Sequence, residues 1–227
     1  MIKQNPAQIY LATARVKQQN LGFNCWSTFN FGNNQEEFKK PFGSLFLFNY
    51  YILAPKQSIT IVAQKDNLHY VLPLYGGIKY NDDQQNDNLV VTEQIQQIVC
   101  TEETNFEISN PFDKNVSFLQ MGFNTKTTAF TTTFLGFDFK EKNKLISLFE
   151  NNTATAFIAQ FGGREELHYQ LKNKENGIFV FIINGAFEFE NRLLEAGDSL
   201  SLKEIESVEW EALSENAMLL LIEIPLV

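Results

Sequence analysis

The sequence predicts an all-β protein, and three observations support this prediction. Short runs that alternate apolar with polar residues follow one another along most of the 227 residues, and this is the pattern of half-buried strands. Turn-forming pairs such as Gly76-Gly77 and Asn110-Pro111 separate the runs. The chain also carries 22 Phe, a residue that suits strand positions. Because long helical periodicity is nearly absent, many short strands at this spacing indicate a β-sandwich or barrel.

The alternating runs fall into two sets of predicted strands, one in each half of the chain. The first set is Ser27–Phe31, Ser44–Ile52, Ser58–Val62, Asn67–Leu74, Gly77–Tyr80, Gln94–Val99, Asn105–Ser109 and Val116–Phe123. The second set is Leu145–Leu148, Ala154–Gln160, Glu166–Leu171, Gly177–Ile183, Ala186–Phe189, Ser199–Leu202, Ser207–Ala212 and Ala217–Ile224.

The two halves also share a local pattern that suggests an internal duplication. Tyr70–Tyr80 and Phe179–Phe189 both read as a strand, a tight glycine-containing turn and a second strand. A repeat separated by this distance predicts two similar barrels in one chain. We take the Thr-rich stretch 124–134 as the crossing between them, which gives domains at residues 1–128 and 129–227.

Composition excludes several classes of function. The net charge is −9 and no basic stripe is present, which argues against nucleic acid and against an anionic membrane surface as partners. No run approaches the roughly 20 apolar residues of a membrane-spanning helix. Cys25 and Cys100 are predicted to be buried thiols rather than a disulfide framework. With no signal-peptide pattern at the N-terminus, we expect a cytoplasmic protein.

Several motifs, taken in order, resemble one known family. They are CWSTFNFG from Cys25, PFGSLFLFNYYILAP from Pro41, HYVLPLYGGIKYND from His69, NFEISNP from Asn105, VSFLQMGF from Val116 and NGAFEFENRLLEAGDSLSL from Asn184. Their order and spacing resemble the pirin-like branch of the bicupins over essentially the whole chain. The resemblance implies a bicupin fold, in which one chain forms two cupin (jelly-roll-like) β-barrels with little helix.

The resemblance also implies a mononuclear metal in the N-terminal barrel, held by a His-x-His pair and a His-x-Glu pair. The corresponding positions here are Val62 with Gln64, and Asn105 with Glu107, so only Glu107 matches the family pattern. The chain contains 2 histidines, one in each repeat, and they cannot form a three-histidine site. We therefore expect no metal and no cofactor; iron, copper or nickel would be the alternative.

The remaining polar residues at these positions allow two interpretations. Glu107 is either a remnant carboxylate bonded to neighbouring amides, or it orients a polar ligand in the vacated cavity together with Gln64 and Asn105. These three are the candidate ligand-binding residues. His69 is predicted to be a packed or hydrogen-bonded strand residue, and His168 a partly exposed one.

No catalytic residues are predicted, because the histidines support neither a Ser-His-Asp nor a Cys-His arrangement. We expect a non-catalytic pirin-like bicupin that binds a small molecule in the N-terminal barrel, or a protein partner. The alternative is a metal-dependent oxygenase of the quercetin 2,3-dioxygenase type, which the resemblance implies for metal-bearing members. A transcriptional cofactor role through a protein partner is a third expectation drawn from the resemblance alone.

Overall fold

The structure, a computed structural model, describes residues 5–30, 36–83, 87–125 and 131–226. These residues form strands almost throughout, with short 3₁₀ turns at Ala12–Ala14 and Glu37–Lys39. The strands are β1 Ala7–Tyr10, β2 Val16–Gln19, β3 Phe23–Ser27, β4 Leu45–Leu53, β5 Ser58–Ala63, β6 Asn67–Tyr75, β7 Gly77–Asp82, β8 Asp87–Val91, β9 Gln94–Cys100, β10 Thr104–Ser109, β11 Val116–Asn124, β12 Thr133–Gly136, β13 Ile146–Glu150, β14 Thr155–Phe161, β15 Glu166–Gln170, β16 Asn176–Asn184, β17 Ala186–Phe189, β18 Arg192–Glu195, β19 Ser199–Leu202, β20 Ser207–Ala212 and β21 Ala217–Pro225.

The predicted all-β class is confirmed, and most predicted strands are present. The first predicted strand, Ser27–Phe31, is wrong, because the chain is extended at Phe23–Ser27 instead and Phe31 lies outside the described residues. Strands β1, β2, β8, β12 and β18 were not predicted. They are four or five residues long, too short for alternation to stand out from the surrounding loops.

The described residues form two compact units, each built from two sheets. The first unit takes in residues 16–36 and 45–136, and the second takes in residues up to 15, 37–44 and those from 137 onward. In the first unit the sheets have the strand orders β12-β9-β6-β11-β4-β3-β2 and β5-β10-β7-β8. In the second they are β1-β19-β16-β21-β14-β13 and β15-β20-β17-β18.

Each pair of sheets encloses its own apolar core. Val71 and Phe118 of the larger sheet share one buried cluster with Ile78 and Phe106 of the smaller sheet in the first unit. The second unit has a corresponding cluster. The sheets are open, so each unit is a cupin-like sandwich and not a closed barrel.

The duplication is visible in the strand order. Adding ten to the strand numbers of the smaller sheet of the first unit gives the order of the smaller sheet of the second unit. The same shift relates β9-β6-β11-β4-β3 to β19-β16-β21-β14-β13 in the larger sheets. Two copies of one arrangement therefore account for nearly all of the described strands.

The glycine turns of the repeated pattern are corners between sheets. β6 and β7 flank Gly76, but β6 belongs to the larger sheet of the first unit and β7 to the smaller one. Gly76 has φ +76° and Gly185, in the matching position of the second unit, has φ +77°. Residues with a Cβ rarely adopt this conformation, which explains why both turns contain glycine.

The units are not contiguous halves of the sequence. β1 pairs with β19 at the edge of the larger sheet of the second unit, and β12 pairs with β9 in the first unit. The division predicted at 128/129 falls in residues 126–130, outside the described part of the chain.

The two cysteines are buried thiols outside any disulfide, as predicted from their isolated positions. Burial raises the pKa of the Cys100 thiol to about 11. Among the described residues, no helix has the length and apolar character needed to cross a membrane.

Candidate functional site

A cavity of about 590 Å³ opens in the first unit beside strand β5. Strand β5 is an edge strand of the smaller sheet and borders one side of the cavity with residues 58–62. Strands β4, β6 and β11 of the larger sheet supply Phe46, Tyr51, His69 and Gln120 on the other side. A volume of this size is within the usual range for small-molecule sites.

The lining of this cavity is polar but uncharged. It contains Gln18, Asn49, Gln64, Asn67 and Gln120 together with hydroxyl, aromatic and aliphatic side chains. Asp, Glu, Lys and Arg make up 20% of the chain, yet none of the described residues that line the cavity is of these types. The site therefore offers dipoles and apolar surface to a ligand, and no fixed charge.

The imidazole in the lining of this cavity belongs to His69, which is 2% exposed. Its ring packs edge-on against Phe46 and Phe106, with centroid separations of 5.8 and 5.7 Å. Burial disfavours the imidazolium form and lowers the pKa of His69 to about 4. The ring is therefore neutral at pH 7.

The hydrogen bonds of His69 are incomplete. Nδ1 lies 3.4 Å from Nε2 of Gln120, while Nε2 of His69 is buried and has no hydrogen-bond partner among the described residues. The Gln120 amide is oriented to donate to Nδ1, which places the remaining ring proton on Nε2. A buried donor without a partner costs about 1–3 kcal/mol, and such groups concentrate at functional sites.

The space for the His69 and Phe46 rings depends on Gly122. Gly122 on β11 is directly opposite His69 on β6. A Cβ at this position would lie 2.8 Å from Cζ of Phe46 and 3.2 Å from Cε1 of His69. The missing side chain thus allows both rings to lie against the sheet.

The predicted site residues lie elsewhere than expected. Gln64, Asn105 and Glu107 are all exposed, and only Gln64, just past the end of β5, lines the cavity. In the ladder between β10 and β5, Asn105 pairs with Val62 and Glu107 pairs with Thr60. The structure therefore does not bring the three side chains together inside the cavity, and their part in ligand binding stays a prediction.

The reason is the phase of strand β10. Phe106 and Ile108 are buried in the core of the first unit, so the intervening side chains of Asn105 and Glu107 point away from it. Oε2 of Glu107 accepts a 3.0 Å hydrogen bond from the hydroxyl of Ser58 on the exposed side. An assignment shifted by one residue exchanges the two faces of a strand.

The predictions for the two histidines are confirmed. His69 is packed and hydrogen-bonded, and His168 is an exposed strand residue that pairs with Glu209. The sequence did not single out His69 and Gln120 as neighbours. Their contact depends on the register between β6 and β11, which connects residues 51 positions apart in the chain.

The second unit has a shallow trough of about 500 Å³ on the exposed side of its smaller sheet. It is lined by His168 and by five glutamates, namely Glu166, Glu188, Glu190, Glu209 and Glu211. Arg164 forms an ion pair of 2.9 Å with Glu211. These side chains are mostly exposed, and they form an acidic surface.

The donor groups of the first cavity do not fit a redox metal. Iron, copper and nickel sites in this kind of fold need several imidazole or carboxylate ligands around one ion. Here the lining supplies one imidazole, and the amides of Gln120 and Asn49 are weak ligands. Within residues 5–30, 36–83, 87–125 and 131–226, no three His, Cys, Asp or Glu side chains are grouped to hold an ion.

Comparison with known proteins gives a family match for part of the chain. Residues 144–224 match the family model described as the quercetinase C-terminal cupin domain. These residues span β13 to most of β21, the larger part of the second unit. A comparison with curated proteins gives no significant match.

Solved structures resemble the chain over nearly its full length. YhhW from Escherichia coli has a TM-score of 0.88 at 16% identity, covering 98% of this chain and 99% of YhhW. The complex of the bacterial pirin YhhW from Escherichia coli with nickel(II) has a TM-score of 0.85 at 14% identity, with coverages of 98% and 100%.

A quercetin 2,3-dioxygenase from Acinetobacter baumannii is also similar, with a TM-score of 0.76 at 12% identity, covering 97% of this chain and 79% of that enzyme. At these identities the likeness establishes the fold. The chain therefore has the bicupin fold of these structures, and its residues 144–224 match the quercetinase C-terminal cupin domain.

Proposed function

We propose that this protein is a non-catalytic bicupin that binds a small molecule in the cavity of its first unit. The observation that carries the proposal is the buried, unpartnered Nε2 of His69 in the lining of a cavity of about 590 Å³. A ligand that supplies the missing partner would recover the free energy lost by the bare donor. Gln64 lies at the rim, where its exposed amide is available to the same ligand.

Asn105 and Glu107 have a smaller part in this proposal than the sequence suggested. Their side chains are exposed and do not line the cavity. They would affect ligand binding only through strand β5, to which β10 is paired.

A metal-dependent oxygenase is the second candidate. It is favoured by the match of residues 144–224 to the quercetinase C-terminal cupin domain. The donor set around His69 weighs against it, since one imidazole and neutral amides hold iron, copper or nickel weakly. We propose no cofactor for the first unit on this ground.

One experiment separates the two candidates. Protein purified without chelators is analysed for metal content, and oxygen uptake with quercetin is measured after addition of iron(II), copper(II) or nickel(II). We expect substoichiometric metal and no quercetin-dependent oxygen uptake, together with fragment hits in a ligand-observed NMR screen that His69→Phe weakens. Stoichiometric metal with oxygen uptake would replace the proposal with the oxygenase.

Two further expectations belong to the proposal. A protein partner is the other form of binding that the family resemblance suggests, and a pull-down recovering one specific protein would support it. Buried thiols outside any disulfide suit a reducing compartment, and we propose a cytoplasmic location, to be checked by cell fractionation.

A further inference from the structure

The polar groups deep in the cavity of the first unit are largely paired with one another. Asn67 accepts a 3.2 Å hydrogen bond from the backbone N–H of Gln64 and donates another to Oδ1 of Asn124. Nδ2 of Asn49 donates to the hydroxyl of Tyr51 at 3.3 Å. Among the described residues that line the cavity, Nε2 of His69 is a buried donor that has no hydrogen-bond partner.

The surroundings of His69 also define which ligand atoms are acceptable. Among the described residues of the lining there is no Lys or Arg to neutralise a carboxylate, and no Asp or Glu to neutralise an ammonium group. Burying an unpaired charge costs far more than burying a hydrogen-bonded neutral group. A lining of this kind favours an uncharged ligand over an ion of either sign.

Phe46 is the aromatic neighbour of His69 that also lines the cavity. The imidazole lies between the rings of Phe46 and Phe106; Phe106 is 1% exposed, whereas Phe46 is half-buried and lines the cavity. Because Nε2 is itself buried, a ligand oxygen would have to displace the Phe46 ring to reach it.

We propose that His69 is the recognition residue of the cavity and that its Nε2–H donates to a carbonyl or hydroxyl oxygen of an uncharged ligand. This inference rests on the proposed function and specifies the chemistry of the ligand. In this proposal the ligand is selected by one neutral donor, Nε2–H of His69, in a lining of uncharged side chains. The hydrogen bond from Gln120 to Nδ1 keeps the ring proton on Nε2.

Four probes of one shape test the selectivity. Naphthalene-2-carboxamide offers a neutral carbonyl, 2-naphthoate carries a negative charge, 2-naphthylmethylammonium carries a positive charge, and naphthalene lacks an acceptor. Dissociation constants are measured at pH 7 by ligand-observed NMR, and protein-observed NMR signals of the Phe46 ring and of His69 report the location. We expect the carboxamide to bind about tenfold or more tightly than each of the other three.

Variants of His69 and His168 test whether the donor to the ligand is Nε2 of His69. In His69→Phe the aromatic volume is kept and the donor is lost, so carboxamide affinity should fall about tenfold while naphthalene affinity changes little. His168→Phe is the matched control in the second unit and should leave both affinities unchanged. Circular dichroism and urea midpoints verify that each variant is folded; if His69→Phe does not fold, His69→Leu, which also has no donor, is used in its place.

The outcomes separate this inference from the proposed function. Equal or tighter binding of either charged probe at His69, or unchanged carboxamide affinity in the His69 variant, overturns the inference and leaves a ligand-binding cavity. Failure of all four probes to bind near His69 at millimolar concentration overturns both.

Discussion

The hydroxyl of Tyr169 donates a 2.6 Å hydrogen bond to Oε2 of Glu223, a carboxylate that is 1% exposed. The same carboxylate accepts hydrogen bonds from the backbone N–H groups of Lys172 and Asn173 and from Nδ2 of Asn176. Desolvation, together with the hydrogen bond to Glu223, raises the pKa of Tyr169 above its ordinary value. Glu223 therefore anchors the loop between β15 and β16 to strand β21 of the second unit.

This anchor predicts a large effect for Glu223→Gln. The substitution keeps the volume but replaces one accepting oxygen with an NH₂ group facing donors, so we expect the free energy of unfolding to fall by about 2–4 kcal/mol. The measurement is urea denaturation at pH 7. Glu206→Gln is the control, because Glu206 is exposed, and it should stay within about 0.5 kcal/mol of the parent. Equal effects for the two variants would contradict the role of Glu223.

His69 predicts a pH dependence of stability in the first unit. Its pKa is lowered by burial from 6.5 to about 4 in the folded protein. Above pH 6.5 the ring is neutral in both states; between pH 6.5 and 4 the unfolded chain takes up a proton that the folded chain excludes, so stability falls as the pH falls. The full effect is about 3 kcal/mol.

The measurement is the free energy of unfolding of the parent and of His69→Gln at intervals from pH 7.5 to 4.5. The difference between the two unfolding free energies removes the contribution of the carboxylates, which titrate over a similar pH range, and leaves that of His69. We expect the parent to lose stability more steeply than His69→Gln below pH 6.5. Parallel curves for the parent and His69→Gln would show that the imidazole is not buried.

The corner at Gly185 predicts a backbone-specific defect. Gly185 has φ +77°, and a Cβ there would lie 2.3 Å from Oγ of Ser214 and 3.0 Å from Cα of Ala217. We expect Gly185→Ala to lower the free energy of unfolding by about 2–4 kcal/mol, from positive-φ strain and overpacking together. Gly136→Ala is the control, since its Cβ would come no closer than 4.0 Å to the backbone oxygen of Glu93. A loss as large in Gly136→Ala as in Gly185→Ala would disprove this explanation.

Glu107→Gln should change stability by less than about 0.5 kcal/mol. Glu107 is exposed, and its carboxylate has a 3.0 Å hydrogen bond from Ser58 that an amide oxygen can also accept. The test is a thermal melt at pH 7 beside the parent protein. A clear drop in melting temperature would mean that the charge of Glu107 has a partner beyond Ser58.

The alternation of apolar and polar residues in the sequence indicates which side chains of strand β10 face the core. In the run from Asn105 to Ser109 the apolar residues are Phe106 and Ile108, and these face the core. Alternation alone therefore assigns Asn105 and Glu107 to the exposed face. Matching them to metal-ligand positions of a resembling family gave the opposite orientation.

Other features depend on contacts between distant parts of the chain, and no local pattern encodes them. The bond between His69 and Gln120 needs the register of β6 with β11. Glu223 lies in an apolar run, where the sequence shows a charged residue but not the loop that surrounds it. Strand type follows from local alternation, whereas buried polar pairs follow from tertiary register.

The pairing of β1 with β19 determines how the chain can be divided for experiments. A fragment starting at residue 137 would leave the N–H and C=O groups of β19 bare along one side, and an uncovered strand of this kind recruits other chains and promotes aggregation. Supplying Ala7–Tyr10 as a separate peptide should restore the missing border, so a two-piece reconstitution is a more suitable route to the second unit than simple truncation.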